Sequence, residues 1–425
     1  MKSTIGLIMR KSYNQHDDHI KTVTSLAENV ILFSMSIPDE KDERFTDMVQ
    51  IVSTDEKEVL KQIKNSISIY KIDSFITWQE TDIILTAKAN QLLSGDTHAV
   101  EMSTLSRNKA NQRQFLKTYN IPSPLFYEIK NEEDIYQLKD SLQFPVIIKP
   151  TMAASSVSVS LVEDLDGLLK AFAEIKDIAE LNKGLYYDSN YTELALIEEF
   201  LSGEEITIDG AIKNGQFLLG GIHNKNRMMG PHFEEDLYTL PYTGEDMNEI
   251  LSICHAIVNN LGLTHSLFNV ELRKDHAGQY KVVEFSVRIS GGHVYRNIRD
   301  VHGIDLVAVH ALSVLDAEES TIEKYAKRNT KIEKCTCIKF IYRQGIIEEN
   351  NCESILNEPE FKQYYPLAKK GAQVNKAPLG FDVTGLLSLI ADYKNEQDLE
   401  ELKLKAEELD GKLNITLKQL DTSLV

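Results

Sequence analysis

Residues 268–288 read FNVELRKDHAGQYKVVEFSVR, and this stretch carries the strongest structural signal in the chain. Apolar and polar residues alternate at both of its ends, which is the two-residue period of strands with one buried face. Between these ends, the segment 275–278 (DHAG) has the composition of a tight turn. We therefore predict an antiparallel hairpin whose two loop residues are Ala277 and Gly278.

This hairpin would place Glu271 directly opposite Glu284, and Asn269 opposite Ser286. Like charges in such positions destabilise a sheet, by roughly 3 kcal/mol at a separation of about 5 Å and an effective dielectric near 20. A divalent cation between the carboxylates would reverse that sign, and oxygen donors are the ligands that Mg²⁺ prefers. Arg288, on the same face, is placed to hold an anionic substrate or a developing acyl-phosphate. A merely solvated sheet face is the alternative.

Lysines near small residues are candidate phosphate contacts. Lys149 ends the apolar run 144–149 (FPVIIK) and is followed by the small-residue run 151–160 (TMAASSVSVS). Small side chains allow backbone N–H groups to approach a phosphate closely, and the strand lysine adds a fixed charge. A lysine that extends to solvent at a sheet edge is the alternative interpretation.

The composition indicates a globular protein of two to three domains, with 425 residues, 42% hydrophobic and 26% charged. Asp and Glu number 65 against 46 Lys and Arg, a net charge of −19. Such a surface repels phosphate backbones, so we expect no nucleic-acid partner.

The chain shows no sign of secretion or membrane insertion. Its N-terminal apolar run is too short for a signal peptide, and no apolar stretch approaches spanning length. The four cysteines lack zinc-ligand spacing, and Cys335 and Cys337 are expected to be packed thiols on one face of a strand. We therefore expect a reducing, cytoplasmic location and no membrane partner.

The N-terminal region alternates short apolar runs with helical stretches, which predicts a small open α/β sheet over residues 1–105. It lacks the GxGxxG motif, so dinucleotide binding there has no support. The segment 16–19 (HDDH) is expected to be a solvated loop rather than a metal site.

An ordered series of further motifs runs through the middle of the chain. They are SRNKANQRQFLKTYNIPSP (106–124), FPVIIKP (144–150), LIEEFLSGEEITIDG (196–210), GPHFEEDLYTLP (230–241), FNVELR (268–273) and VVEFSVRISGG (282–292). Together they resemble the ATP-grasp superfamily, and within it the L-amino-acid ligase branch of the carboxylate–amine ligases. The resemblance covers residues 106–315 well and the flanking regions more loosely.

The resemblance implies an α/β (α+β) ATP-grasp fold. It implies an N-terminal open α/β domain at residues 1–105 and an ATP-grasp core at 106–325, with a small lid subdomain at about 145–215. A C-terminal subdomain would occupy residues 326–425. The implied reaction is ATP-dependent formation of an amide, dipeptide-like bond through an acyl-phosphate, with ADP and phosphate released. It needs no covalent enzyme nucleophile.

The resemblance also implies cofactors, substrates and site residues. ATP and Mg²⁺, with Mn²⁺ as a substitute, would act on a small-molecule carboxylate and an amine, both amino acids; relatives commonly form homodimers. ATP contacts fall on Lys109, Lys149, Ser155, Ser156, Glu198, Glu199, Leu201 and Glu205. Metal ligands fall on Glu271, Glu284 and Ser286, catalytic roles on Lys149 and Arg288, and substrate contacts on Glu235, Arg288, Gly291, Gly292 and His232.

Two positions depart from the family pattern. The expected phosphate loop contains no glycine, and Ser158 stands where glycine is typical. Ser286 stands where a metal-binding asparagine is usual, and Asn269 is the hypothetical substitute. Other functions stay open: an ATP-grasp ligase or carboxylase for bicarbonate or a purine-pathway substrate, or a non-catalytic ATP-binding regulatory protein.

Overall fold

A computed structural model describes residues 3–11, 13–152, 158–181, 195–229, 234–376 and 382–418. Within these ranges, the strands form one eight-stranded sheet, two four-stranded sheets and one three-stranded sheet. No helix in the described ranges is both long and apolar enough to cross a membrane.

The N-terminal region is a parallel sheet with helices on both faces. Its elements are β1 (Thr4–Ile8), α1 (Asp17–Leu26), β2 (Asn29–Ser34), β3 (Asp47–Gln50), α2 (Glu56–Tyr70), β4 (Ser74–Ile76), α3 (Ile83–Ser94) and α4 (His98–Arg107). The strand order is β3-β2-β1-β4, and every pair is parallel. Strand β1 is buried along its whole length, as expected for a parallel strand covered on both faces. The predicted open α/β sheet is confirmed.

The predicted solvated loop at 16–19 is wrong. Asp17 and Asp18 form the first turn of α1, and His19 is only 2% exposed. Acidic residues favour a helix N-terminus because they face its positive dipole end. The turn of the helix then directs His19 into the core, where its ring packs against Tyr295 at 4.5 Å.

A small antiparallel sheet follows in the chain. This part of the chain contains α5 (Lys109–Thr118), β5 (Phe126–Ile129), α6 (Glu132–Leu138), β6 (Val146–Pro150), β7 (Ser160–Val162), α7 (Leu165–Leu181) and β8 (Ala195–Glu199). Its four strands form the sheet in the order β5-β8-β6-β7. Phe172 and Ile175 of α7 are buried against this sheet. The sheet already begins at Phe126, before the start of the expected lid, and the chain leaves it after Glu199.

The central elements of the chain build most of the large sheet. They are β9 (Glu205–Lys213), β10 (Gln216–Met229), β11 (Glu234–Leu240), α8 (Met247–Leu261), β12 (His265–Lys274), β13 (Tyr280–Ser286), α9 (Arg296–His302), α10 (Leu306–Val314) and α11 (Glu319–Ala326). Helix α8 ends at Gly262, which adopts a left-handed conformation with φ +62°, as a C-terminal glycine allows.

The C-terminal elements continue the same sheet and also build a separate three-stranded sheet. They are β14 (Lys334–Tyr342), β15 (Gly345–Asn351), β16 (Phe361–Pro366), β17 (Gln373–Val374), β18 (Val383–Asp392), α12 (Glu396–Lys412) and β19 (Asn414–Lys418). The eight strands run in the order β13-β12-β9-β10-β11-β14-β18-β16, so hydrogen bonding crosses the expected subdomain boundary near residue 325. Cys335 and Cys337 are fully buried on β14, which confirms them as packed thiols.

Candidate functional site

Strands β12 and β13 bring the expected carboxylates together. Glu271 lies directly opposite Glu284, and Asn269 lies opposite Ser286, as the sequence predicted. All four side chains line one cleft between the small sheet and the large sheet, with a volume of about 380 Å³. The paired acidic residues therefore face a cavity rather than an open sheet surface.

The predicted two-residue loop of this hairpin is wrong, although the predicted pairing holds. The backbone N–H of Asp275 donates to the carbonyl of Gln279 at 2.9 Å, so residues 276–278 form a three-residue loop. Gly278 takes the left-handed position of this loop, with φ +80°. An irregularity in the pairing beside Glu271 adds one residue to β13 and restores the expected register.

Lys225 occupies the charged centre of the cleft. Its Nζ lies 2.6 Å from Glu205 Oε1, 3.2 Å from Glu271 Oε2 and 3.6 Å from Glu235 Oε1. Burial opposes the charged form of this lysine, but the surrounding carboxylates outweigh it and raise the pKa of Lys225 well above its ordinary value. The local sequence does not predict this position for Lys225, because nothing near it shows that three distant carboxylates converge on it.

The two lysines expected to bind phosphate reach the same cleft from different sides. Lys109 Nζ lies 3.0 Å from Glu284 Oε1, and Lys149 Nζ lies 2.7 Å from Glu198 Oε2. Arg113 also holds Glu198, with its Nε 2.6 Å from Oε1. Burial opposes ionisation of Glu198, but the charges of Arg113 and Lys149 outweigh it and lower the pKa of Glu198 below its ordinary value. The carboxylate of Glu198 is thus committed to ion pairs.

Arg288 is tied to a glutamate that the sequence analysis missed. Glu80 lies in a 3-10 turn just after β4, and its carboxylate accepts hydrogen bonds from Arg288 and Arg107. Ser286 Oγ also donates to Glu80, at 3.3 Å. Burial opposes ionisation, but the two guanidinium groups lower the pKa of Glu80 to about 2. One feature of the sequence could have identified Glu80: it follows the carboxyl end of a predicted parallel strand, where open α/β sheets usually have their ligand sites.

The turn at Gly291 and Gly292 is fixed by a buried aspartate. Asp209 Oδ1 accepts from the backbone N–H of Ser290 at 2.6 Å, and Asp209 Oδ2 accepts from Ser290 Oγ at 2.6 Å. Burial raises the pKa of Asp209 to about 6. Gly292 has φ +63°, and a Cβ atom there would lie 2.4 Å from Phe340 Cζ. Both the conformation and the close ring require glycine at this position.

The remaining predicted residues fall into three groups. Glu199, Leu201, Glu235, Gly291 and Gly292 line the cleft, and Glu199 also pairs with Lys281 Nζ at 2.8 Å. Ser155, Ser156 and His232 lie outside the described residues. Ser158, at the position typical of glycine, adopts φ +58°, a conformation that glycine favours.

The donor atoms beside Arg288 fit a hard divalent cation. The carboxylates of Glu271 and Glu284 and the hydroxyl of Ser286 are all oxygen donors, which suits Mg²⁺. The side-chain nitrogen of Asn269 donates to Thr207 Oγ1 at 2.8 Å and to the carbonyl of Ile208 at 3.0 Å. This leaves the carbonyl oxygen of Asn269 as the atom available to a cation.

Comparison with known proteins finds a domain match, distant relatives and a similar fold. Residues 142–296 match the family described as the ATP-grasp domain. Alanine–anticapsin ligase of Bacillus subtilis is 25% identical over 267 residues, which cover 59% of this chain and 56% of that protein. The L-arginine-specific L-amino acid ligase of Bacillus subtilis is 23% identical over 208 residues, 48% of this chain and 49% of that protein.

A solved structure matches almost the whole chain. The L-amino acid ligase from Bacillus licheniformis has a TM-score of 0.80 at 20% identity, covering 98% of this chain and 99% of that chain. The expected α/β ATP-grasp fold is confirmed by this likeness. In sequence, the chain spans little more than half the length of alanine–anticapsin ligase.

Proposed function

We propose that this chain, which contains an ATP-grasp domain, is a cytoplasmic ligase that uses ATP and Mg²⁺ to join a carboxylate to an amine. The supporting observation is the convergence of paired carboxylates and several cations in one cleft. A carboxylate oxygen of the first substrate attacks the γ-phosphorus of ATP, and ADP leaves. The amine nitrogen of the second substrate then attacks the acyl carbon, phosphate leaves, and an amide forms after the nitrogen loses a proton.

The cations of the cleft suit the binding of a triphosphate. Lys109, Lys149 and Lys225 approach its centre from three different elements, and each already lies beside a carboxylate. Phosphoryl transfer depends mainly on positioning and on neutralising phosphate charge, which preorganised cations provide. Mg²⁺, when held by Glu271 and Glu284, supplies further neutralisation of that charge.

Arg288 is the group we assign to the acyl-phosphate. Its guanidinium lies on the same face as Glu284, and Glu80 fixes its orientation by accepting a hydrogen bond from Nε. Because Glu80 stays ionised at neutral pH, it holds the arginine without needing to move during the reaction. A fixed cation costs no reorganisation when negative charge develops.

The small sheet supplies one apolar end of the cleft. Ile147 on β6, Val283 on β13, and Phe200 and Leu201, the segment after β8 that we call the hinge, all line the cleft. We assign this end to the adenine base, and Glu205 to the ribose hydroxyls beside it. Closure of the small sheet over the cleft would keep water from an acyl-phosphate.

Amino acids are the substrates we propose. Alanine–anticapsin ligase and the L-arginine-specific ligase, the relatives described above, carry amino-acid substrates in their names. The Asp209-held turn at Gly291 and Gly292 offers backbone groups to such a substrate beside Arg288. An amino acid would supply both the carboxylate to be activated and the attacking amine.

The test is phosphate release from Mg-ATP with amino acids supplied singly and in pairs, with mass spectrometry of the products. The expected result is amino-acid-dependent release and a product whose mass equals two amino acids less one water. Release that depends on bicarbonate would favour a carboxylase instead. ATP binding without release in any pool would favour a non-catalytic protein.

A further inference from the structure

The cleft has a second apolar end, formed by the C-terminal strands. We call it the apolar recess; it consists of Phe340, Tyr342, Leu367, Val383 and Leu386. We propose that the apolar recess binds the side chain of one amino-acid substrate and selects a large apolar one, such as leucine, methionine or phenylalanine. This inference rests on the proposed ligase function and specifies its substrate class.

Strand pairing in the large sheet fixes the positions of the residues that line the apolar recess. Phe340 on β14 lies opposite Leu386 on β18, and Tyr342 lies opposite Val383. Phe340 and Tyr342 are two residues apart, so their side chains share one face of the sheet. Leu367 is held beside them because its backbone N–H donates to the carbonyl of Thr384 at 3.1 Å. The recess is therefore a built surface with fixed walls.

The recess adjoins the charged centre of the cleft. The ring of Phe340 packs against the backbone of Gly292, and its centroid lies 5.1 Å from that of Tyr238. Tyr238 in turn lies under Lys225, whose Nζ is 5.3 Å from the ring centroid. A substrate whose carboxylate lies near Arg288 would thus direct its side chain toward apolar walls.

The recess lies at a different part of the cleft from the apolar end assigned to adenine. That end is formed by β6 and the hinge after β8, in the small sheet, whereas the recess belongs to β14 and β18 of the large sheet. The charged groups Lys225, Glu271 and Glu284 also line the cleft. With nucleotide at the hinge end, the recess is left for a second ligand.

Gly291 leaves open space beside the recess. A Cβ atom built on it would have no atom within 4 Å, in contrast to the crowded position at Gly292. Four of the five recess side chains are wholly apolar, and the fifth, Tyr342, carries one hydroxyl. None of the five is charged, so the recess offers apolar contact area and no opposite charge to a charged side chain. Each added methylene in an apolar pocket changes discrimination by about tenfold or more.

The first experiment uses the wild-type chain. The kcat/KM for amino-acid-dependent phosphate release is measured with leucine, methionine and phenylalanine, and with alanine, serine, glutamate and lysine. We expect at least about a tenfold preference for the large apolar group. A preference for small or charged side chains overturns the assignment of the recess.

The second experiment places a charge in the recess. Val383 is half-buried at the start of β18, and Val383→Asp should lower kcat/KM for leucine at least about tenfold while leaving ATP affinity within about twofold. Val52→Asp is the matched control, since Val52 is 81% exposed and lies in the N-terminal region. Equal effects of the two substitutions overturn the proposal.

Folding and function are separated by further readouts. Circular dichroism and thermal unfolding check each variant; if Val383→Asp does not fold, Val383→Ala is compared with wild type and should still weaken selection of leucine over alanine. Absence of release with every amino acid, with ATP bound, defeats the proposed ligase function and with it the recess. Release that prefers alanine defeats the recess alone.

Discussion

Glu271 and Glu284 face each other directly across β12 and β13. Each lies beside a different lysine: Lys225 Nζ is 3.2 Å from Glu271, and Lys109 Nζ is 3.0 Å from Glu284. The two lysines offset a repulsion that would otherwise strain the hairpin. When ATP and a cation bind, the two glutamates can bind the cation and the two lysines can bind the phosphates. The total charge of these four side chains does not change.

Replacement of Glu284 by glutamine should impair the reaction with little effect on folding. The substitution removes one of two carboxylates in the proposed metal site, so the Mg²⁺ concentration needed for half-maximal rate should rise at least about tenfold and kcat should fall about 100-fold. Phosphate release across a Mg²⁺ titration measures both. Glu323→Gln on α11, at an exposed position, is the control. Unchanged Mg²⁺ dependence in Glu284→Gln would exclude this residue from the metal site.

Replacement of Lys225 by methionine should destabilise the chain. The lysine side chain is 2% exposed and compensates Glu205, Glu235 and Glu271. Removing one partner of a buried ion pair costs about 3–5 kcal/mol, because a buried charge is left uncompensated. Urea unfolding at neutral pH provides the measurement. A change below about 1 kcal/mol, which is typical of a surface ion pair, would mean that the pairs contribute little.

Glu80 should stabilise the chain in a pH-dependent way. Its folded-state pKa of about 2 lies below the ordinary value of 4.5. The stabilisation is therefore complete above about pH 4.5 and is lost as the pH falls toward 2, in total about 3 kcal/mol. Glu80→Gln should be less stable than wild type at pH 7, and the gap in unfolding free energy should narrow between pH 4.5 and 3. A constant gap over that range would contradict an ionised, ion-paired Glu80.

His223 should make the chain acid-sensitive at a higher pH. Burial lowers its pKa from 6.5 to about 3, so the folded state holds it neutral. As the pH falls below about 6.5, His223 becomes protonated in the unfolded chain but not in the folded one. Proton binding therefore stabilises the unfolded state, and the free energy of unfolding falls. His223→Gln should reduce the loss of unfolding free energy between pH 6.5 and 4 by about 3 kcal/mol. The unfolding free energy is measured by urea unfolding at several pH values. An equal loss in variant and wild type between pH 6.5 and 4 would show that His223 does not titrate as proposed.

The sequence predicted local pairing better than it predicted long-range contacts. The pairing of Glu271 with Glu284 was predicted from strand alternation and an assumed two-residue loop. The loop has three residues, and an irregularity beside Glu271 compensates for the third. Glu80 was missed because its partner Arg288 lies 208 residues further along the chain. No local pattern reports such a separation.

The apolar recess was invisible in the sequence for a related reason. Phe340 reaches the cleft only because β14 pairs with β11 at the centre of the large sheet. An apolar residue on a strand predicts burial, and it does not show which cavity the residue borders. The helix at Asp17 was mistaken for a loop because four consecutive polar residues suit either structure, and only the packing of His19 decides.

An isotope experiment tests the central claim most directly. The carboxylate substrate is labelled with ¹⁸O at its carboxyl group, incubated with Mg-ATP, amine and the chain, and the released phosphate is analysed by mass spectrometry. Attack of the carboxylate on the γ-phosphorus predicts that each released phosphate carries one oxygen from the substrate. Unlabelled phosphate formed together with the amide would contradict an acyl-phosphate intermediate and the function proposed for this cleft.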